Sequence, residues 1–299
     1  MTTIALVTDA ESLPNDYDMP LLIKACKEAG LEAEVVRWDD KTLNWKNFKS
    51  VILRSPWTYV ERLDDFISWA ERVSATTELY NHLPVIKWGL DKNYLLDLQD
   101  AGVAIVPTIV IRAGEQYVNT LVKDFIKELN SSAEIVIKPV IGAYSRGVRR
   151  FRLADTESAT AYIDELRSQG NDVLLQPYLT SIDVSGETDL VFFNGIYSHA
   201  IRKSALLQPD GSVREPLQEF RTERHPTEAE LDLAGSAVRA VEKIFRLEKP
   251  LLYARIDLIL DDNGRPVVLE MEICEPSLNL PFSSGSAERF AEAIKNRIS

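Results

Sequence analysis

The sequence of 299 residues contains only two cysteines, Cys26 and Cys274, which are too few for a disulfide framework and favour a reducing cytoplasm. No run of about 18 apolar residues occurs, and no basic segment followed by an apolar one opens the chain. We therefore expect neither a membrane span nor a signal peptide. The net charge of −12, without a basic block, argues against a nucleic-acid partner or an anionic membrane surface.

Several well-known catalytic motifs are also missing. The loop from Gly142 to Gly147 has the glycine spacing of a P-loop, but Val148 stands where that motif requires lysine. No G-x-G-x-x-G follows the first apolar strand, and neither G-x-S-x-G nor H-E-x-x-H occurs. The sequence thus excludes a Walker A site and does not support a Rossmann dinucleotide site. The histidines are scattered, and we interpret each as structural: His82, His199 and His225.

The predicted fold class combines α/β and α+β regions. Residues 1–90 alternate apolar strands with helical patterns, which indicates a small parallel sheet covered by helices. Ligands bind at the carboxyl ends of such strands, where Asp9 and the segment Arg54–Trp57 stand. Arg54 and Trp57 are therefore candidate substrate contacts, with a surface cation and a packing aromatic as the alternatives. Residues 204–226 are polar and are expected to form a long loop.

The segment from Pro250 to Phe282 carries the most chemistry. Two apolar runs flank Asn263-Gly264, which predicts a hairpin with a two-residue turn. In that register Asp257 lies opposite Glu270 and Arg255 lies opposite Glu272, so these four side chains share one face. The other face is apolar on both strands and should pack on the core; it comprises Ala254, Ile256, Leu258, Leu260, Val267, Leu269, Met271 and Ile273.

The charged face of this hairpin suggests a metal site. Three carboxylates repel one another unless a cation compensates them, and Arg255 supplies only one positive charge. Oxygen ligands alone suit Mg²⁺ or Mn²⁺ and do not suit zinc. Asp257, Glu270 and Glu272 are therefore the candidate ligands, and an ordinary solvated face is the alternative.

Lys138 ends the apolar strand E-I-V-I-K. An ammonium group in such a strand is costly unless it meets an anion or reaches water. The loop that follows contains Gly142, Ser145 and Gly147, and its backbone N–H groups are suited to holding phosphates. The alternative is a lysine that reaches solvent, followed by a plain turn.

Taken in order, these features resemble the ATP-grasp superfamily, and the resemblance covers nearly the whole chain. The motifs are Asp91-Lys92 before a helix, Lys138-Pro139 before a glycine loop, the segment Gln176-Pro177-Tyr178-Leu179, Gly186-Glu187, and R-x-D and E-x-E on the last hairpin. The resemblance implies an ATP-grasp fold behind an N-terminal parallel α/β domain. It places that domain at residues 1–90, the small lobe at 91–175 and the large lobe at 176–299.

The resemblance also implies roles for individual residues. ATP phosphates and adenine would be contacted by Lys92 and Lys138, with the loop of Gly142, Ser145 and Gly147 over the phosphates. The backbone of Gln176, Pro177, Tyr178 and Leu179 would hold the adenine edge, and Glu187 would bind the ribose. Asp257, Glu270 and Glu272 would ligate Mg²⁺, while Arg255 would steady the transferred phosphoryl group. Lys203, a cation near the loop 204–226, is a candidate contact to phosphate or substrate, with a surface charge as the alternative. The superfamily usually has asparagine where Glu272 stands, which weakens the analogy to its peptide-forming members.

The segments LRSPW, QPYL, GETDLVFFNG, SHAIRK and EMEICEPSL look most like the branch that contains the cyclo-ligases making D-cycloserine from O-ureido-D-serine. The implied activity is ATP-dependent C–N bond formation through an acylphosphate, on a small amino-acid carboxylate. Further substrate contacts would come from Arg202, Arg221, Ser277 and Asn279. The alternatives are a two-substrate peptide-type ligase and a non-catalytic nucleotide sensor; the oligomeric state is open, with a homodimer as one option.

Overall fold

The computed structural model describes residues 2–129, 133–143, 146–207 and 220–298. Within these ranges three sheets follow one another along the chain, each with its own helices. None of the described helices is long and apolar enough to cross a membrane.

The first sheet is parallel, as predicted. Its strands are β1 (Thr2–Thr8), β2 (Leu31–Arg37), β3 (Ser50–Ser55) and β4 (Glu78–Tyr80), in the order β2-β1-β3-β4. The helices of this region are α1 (Met19–Glu28), α2 (Leu63–Ser74) and α3 (Leu83–Gly89). A short 3-10 helix, Trp57–Arg62, precedes α2 at the carboxyl end of β3. The loops after β1 and β3 therefore lie side by side at one edge of the sheet.

The second sheet is antiparallel. It contains β5 (Ile109–Ile111), β6 (Glu134–Pro139), β7 (Arg149–Arg152) and β8 (Val173–Pro177), in the order β5-β8-β6-β7. Before and between these strands lie α4 (Tyr94–Asp100), α5 (Val118–Glu128) and α6 (Thr156–Ser168). Apolar side chains of the sheet pack on α5 and α6 in a separate core. Because β8 continues to Pro177, it crosses the boundary at 175/176 that the sequence suggested.

The third sheet carries the chemistry. Its strands are β9 (Glu187–Phe193), β10 (Ile196–Lys203), β11 (Arg221–Arg224), β12 (Tyr253–Leu260) and β13 (Pro266–Glu272), in the order β11-β10-β9-β12-β13. Its helices are α7 (Ser181–Ser185), α8 (Glu228–Ile244) and α9 (Ser286–Ile298). The prediction of a continuous loop over 204–226 is wrong at β11, which pairs with the end of β10. This edge strand is entirely polar, so no apolar alternation marked it.

The hairpin of β12 and β13 has the predicted register at the charged residues but a different turn. Leu260 pairs with Pro266, and the N–H of Gly264 donates to the carbonyl of Asp261 at 2.9 Å, so the connection is longer than the predicted two residues. A β-bulge between Asp257 and Leu258 then shifts the register by one residue. The two departures cancel. Arg255 therefore lies opposite Glu272, and Asp257 opposite Glu270, as predicted.

The bulge also changes which side chains face the core. Leu258 pairs with Val268 and not with Leu269 as predicted, and Val268 joins the main core. Val267 and Leu269 instead pack in a small cluster with Ile259, and Leu269 lines a cavity. The prediction that Val267 and Leu269 share the main core face is therefore wrong.

Two glycines with positive φ, one between α7 and β9 and one in the connection between β12 and β13, allow a test of local packing. Gly186 (φ 73°) and Gly264 (φ 73°) both disfavour a side chain, but only at Gly186 would a Cβ overlap the carbonyl oxygen of Lys203. We expect Gly264→Ala to lower the free energy of unfolding by about 1 kcal/mol, through backbone strain alone. Gly186→Ala should cost clearly more, and urea unfolding measures both. Equal losses would contradict the close packing of Gly186 on β10.

Candidate functional site

A cavity of about 280 Å³ lies where the three sheets approach one another. The first sheet contributes its loops, the second sheet contributes β6 and β8, and the third contributes β9, β10, β12 and β13. Most of the side chains singled out in the sequence line it: Trp57, Lys92, Lys138, Gly142, Gln176, Pro177, Tyr178, Leu179, Glu187, Lys203, Arg221, Arg255, Asp257, Glu270, Glu272, Ser277 and Asn279. Residues far apart in the sequence are thus gathered at one place.

Four of the predicted residues are not placed in the lining. Arg54 is buried beneath it, and Arg202 turns to α7, where its guanidinium donates to the carbonyls of Val184 and Ser185. Gly147 packs beside Pro139 outside the lining. Ser145 lies outside the described residues.

A buried ionic cluster forms one wall of the cavity. The guanidinium of Arg255 donates two hydrogen bonds to the carboxylate of Asp257, at 2.8 and 2.7 Å, and also contacts Glu272 at 2.6 Å. The ammonium of Lys203 lies 2.5 Å from a carboxylate oxygen of Glu187 and 3.7 Å from one of Asp257. Sheet pairing sets this arrangement, because β10 aligns Lys203 with Glu187 beside the hairpin strand. Both cations are held where negative charge is densest.

Asp189 belongs to this cluster and was missed in the sequence. It is fully buried on β9, directly across from Asp257 on β12, and lies 3.1 Å from the ammonium of Lys203. Asp189 follows Glu187 by two residues, so both acids lie on one face of the strand. This spacing is the sequence feature from which Asp189 could have been predicted. In the described part of the chain, one carboxylate oxygen of Asp189 has no hydrogen-bond donor.

The acids of the cluster are unequally neutralised. Burial and repulsion from Asp257 raise the pKa of Asp189. Burial opposes ionisation of Asp257 too, but attraction to Arg255 and Lys203 outweighs it and lowers the pKa. Burial raises the pKa of Glu272 to about 8, since repulsion from Asp257 and other acids adds to burial and outweighs the attraction of Arg255. If all were ionised, the four carboxylates of the cluster would outweigh its two cations, and this excess adds to burial in raising the pKa of Asp189 and Glu272.

This excess charge fits a divalent cation. Side-chain oxygens of Glu187, Asp189 and Asp257 lie within 4.8 Å of one another. All are hard oxygen donors, and among the described residues one carboxylate oxygen of Asp189 has no hydrogen-bond donor that a cation would have to displace. Of the predicted ligands, Asp257 belongs to this trio, whereas Glu270 and Glu272 contact Lys92 and Arg255.

Two lysines face the cavity from its opposite wall. Lys92 donates to the carbonyl of Gly142 at 2.8 Å and pairs with Glu270 at 3.0 Å. Lys138 is buried, and its ammonium group makes no ion pair or hydrogen bond among the described residues. Burial lowers its pKa, and Glu270 attracts its charge while Lys92 repels it. A buried ammonium without an anion is a ready place for an anionic ligand.

The segment 274–280, here called the 274–280 loop, closes one end of the cavity. Four consecutive carbonyls, those of residues 274–277, accept hydrogen bonds from Tyr253, Trp57, Arg54 and Arg255 at 2.7, 2.9, 2.8 and 2.9 Å. Asp18 accepts from the N–H groups of Leu278 and Leu280. Arg54 and Trp57 thus hold the backbone of a cavity loop, a contact that the sequence did not reveal.

Comparisons with known proteins agree with this geometry. Residues 4–81 match the family model described as D-cycloserine synthetase DcsG, N-terminal domain. The chain is 46% identical over 298 residues to the cycloserine biosynthesis protein DcsG of Streptomyces lavendulae, covering 100% of this chain and 99% of that protein. It also resembles the crystal structure of D-cycloserine synthetase DcsG, with a TM-score of 0.95, 46% identity, and coverage of 99% of this chain and 100% of that chain.

A more distant solved structure shares the fold alone. The ATP-grasp ligase PsnB, complexed with a variant of its minimal precursor, Mg and ADP, aligns with a TM-score of 0.68 at 16% identity. The alignment covers 100% of this chain and 99% of that chain. The three-sheet arrangement is therefore an ATP-grasp fold.

The buried pair of Arg54 and Asp18, 3.9 Å apart, gives a test of how the 274–280 loop is held. Arg54→Met would leave the Asp18 carboxylate without its cation, so we expect the free energy of unfolding to fall by about 3–5 kcal/mol. Arg202→Met, which removes a guanidinium outside the core, should cost under about 1 kcal/mol. Denaturant unfolding of both variants measures this. A loss at Arg54 no larger than at Arg202 would contradict the assignment.

The same pair gives a pH dependence. Burial raises the pKa of Asp18 to about 6, above its value in the unfolded chain, despite the attraction of Arg54. The folded state therefore takes up a proton as the pH falls through this range, and it gains stability relative to the unfolded chain. Since a protonated Asp18 needs no cation, the loss in Arg54→Met should be smaller near pH 5 than near pH 7. A loss independent of pH would point to packing instead.

Proposed function

The chain belongs to the D-cycloserine synthetase family of ATP-grasp ligases, and we propose that it closes the ring of D-cycloserine from O-ureido-D-serine with ATP. It is an ATP-dependent ligase of antibiotic biosynthesis. The observation that carries the proposed chemistry is the gathering of Lys92, Lys138, Lys203 and Arg255 around one cavity. We further propose that the enzyme works in the cytoplasm, in keeping with its free buried cysteines.

ATP is proposed to enter between β6 and β8 on one side and the hairpin of β12 and β13 on the other. Lys138 supports this placement, since its ammonium lacks an anion that a phosphate would supply. The segment Gln176–Leu179 lines the same cavity, where the guanidinium of Arg150 stacks on Tyr178 at 3.4 Å and stiffens it. Glu187 is proposed to bind the ribose, and Gly142 to approach the phosphates.

Magnesium, or manganese, is proposed to be held by Asp257 together with Glu270 and Glu272. When bound, the metal would neutralise charge on the phosphates. The excess negative charge of the acidic cluster supports this assignment, and Asp189 lies close enough to Asp257 to share in it.

The reaction proposed for this cavity begins with attack of the substrate carboxylate on the γ-phosphorus of ATP, which gives an acylphosphate and ADP. Lys203 and Arg255 supply positive charge for the phosphoryl group in transfer. The nitrogen bound to the side-chain oxygen of the same molecule then attacks the acyl carbon and expels phosphate. Water cleaves the bond between this nitrogen and the ureido carbamoyl group, so that the group leaves as carbamic acid, which breaks down to carbon dioxide and ammonia. No protein nucleophile takes part, in keeping with the absence of a catalytic triad motif.

A single-substrate assay tests the proposal. O-ureido-D-serine, added alone with ATP and Mg²⁺, should yield ADP, phosphate and D-cycloserine in equal amounts, and EDTA should stop turnover until Mg²⁺ or Mn²⁺ is restored. Product formed only after a second amine is added would indicate a two-substrate ligase. Nucleotide binding without turnover across a panel of carboxylates would indicate a sensor. Either result would overturn the proposed cyclisation.

Lys138 gives a residue-level prediction. Lys138→Ala should raise the KM for ATP by about ten-fold or more, because the phosphates lose one charge-assisted contact. Lys127→Ala is the matched control, since Lys127 is exposed on α5 and pairs with the exposed Asp124. Steady-state kinetics with varied ATP measures both variants. An unchanged KM at Lys138→Ala would assign this lysine to structure.

A further inference from the structure

One acidic side chain in the cavity stands apart from the others. Glu187 pairs with Lys203, Glu270 with Lys92, and both Asp257 and Glu272 with Arg255. Glu275 also lines the cavity and is half-buried, yet among the described residues it forms no ion pair. It is therefore a negative charge that the described protein leaves without a counter-ion.

The backbone that carries Glu275 is tightly held. Its own carbonyl accepts a hydrogen bond from the indole of Trp57 at 2.9 Å. The carbonyls on either side, those of Cys274 and Pro276, accept from Tyr253 at 2.7 Å and from Arg54 at 2.8 Å. A side chain on so constrained a segment is presented to the cavity in a defined position, as a recognition group requires.

The electrostatic setting favours a bound cation. Burial raises the pKa of Glu275, against the hydrogen-bonding influence of Cys274 and Tyr59 and the attraction of Lys92. Desolvation of an unpaired carboxylate is costly, and a cationic ligand group would offset that cost. Lys138 shows the opposite arrangement, since it is a buried cation in the same cavity that pairs with no anion among the described residues.

The neighbouring charge on the 274–280 loop has the opposite sign. Arg255 donates to the carbonyl of Ser277 at 2.9 Å, two residues beyond Glu275. Among the described residues, the loop thus joins a carboxylate that forms no ion pair to a guanidinium that faces the acidic cluster. A zwitterion has the matching charges.

We propose that Glu275 binds the α-ammonium group of an α-amino carboxylate substrate, whose carboxylate is directed toward Arg255 and Lys203. This inference rests on the proposed ligase function, because it concerns the amino-acid substrate that would share the cavity with ATP. It makes Glu275 a specificity residue that selects amino acids over simple carboxylates.

The test compares O-ureido-D-serine with its analogue lacking the α-amino group. In the unaltered enzyme the analogue should have a KM about 30-fold higher, the size expected for one lost charge-assisted contact. Glu275→Gln should raise the KM for the amino substrate by a similar factor, leave the KM for the analogue unchanged, and leave the KM for ATP within about two-fold. Glu292→Gln, an exposed acid on α9, controls for the change in net charge.

Three results would overturn the inference. One is an unaltered enzyme that accepts both compounds equally, which needs no folded variant. Another is a Glu275→Gln variant whose KM rises equally for the amino substrate and for its analogue, because a purely structural role of Glu275 would affect both compounds. The third is a fall in kcat alone, which would make Glu275 a base.

Failure of the proposed cyclisation would be recognised separately. If O-ureido-D-serine gives no product with the unaltered enzyme, calorimetric binding of D-serine and of 3-hydroxypropanoate replaces the kinetic comparison. Tighter binding of D-serine that is lost in Glu275→Gln supports ammonium recognition whatever the reaction. Equal binding of the two compounds contradicts it.

Discussion

The bidentate contact between Arg255 and Asp257, two residues apart on β12, is the interaction on which the site depends. Both side chains are almost fully buried, and a buried charge is tolerated only when it is paired and hydrogen-bonded. Lys203 and Asp189 extend the pair across β9 and β10, so the central strands of the third sheet carry a continuous ionic layer. The same guanidinium contacts the backbone of the 274–280 loop, which links the ionic cluster to the end of the cavity that this loop closes.

Much of this could be predicted from the sequence because the pattern and the chemistry point the same way. The parallel first sheet follows from strands that alternate with amphipathic helices. The facing of Asp257 and Glu270 follows from the Asn263-Gly264 turn. The predicted pairing was right at the charged residues, but the predicted turn was too short, since Asn-Gly also occurs in longer connections. The bulge at Leu269 that restores the register has no local signal, because Leu269 is one apolar residue in an apolar strand.

What the sequence could not supply were contacts between distant segments. Asp189 shares one face of β9 with Glu187, but its proximity to Asp257 depends on β9 lying beside β12. The position of Arg54 near the end of a strand predicted a cation that binds a ligand. Its guanidinium instead donates to the carbonyl of Pro276 and pairs with the carboxylate of Asp18. The first case is set by strand pairing within the third sheet, and the second by packing of the first sheet against the 274–280 loop. Periodicity along one segment encodes neither contact.

In the proposed reaction, ATP activates the carboxylate of the amino-acid substrate within this cavity. Labelling both oxygens of that carboxylate with ¹⁸O tests it most directly, because formation and breakdown of an acylphosphate transfer one carboxylate oxygen to phosphate. Mass spectrometry of the products should find one ¹⁸O atom in each inorganic phosphate released during ring closure. Unlabelled phosphate, formed at the rate of ring closure, would contradict the account.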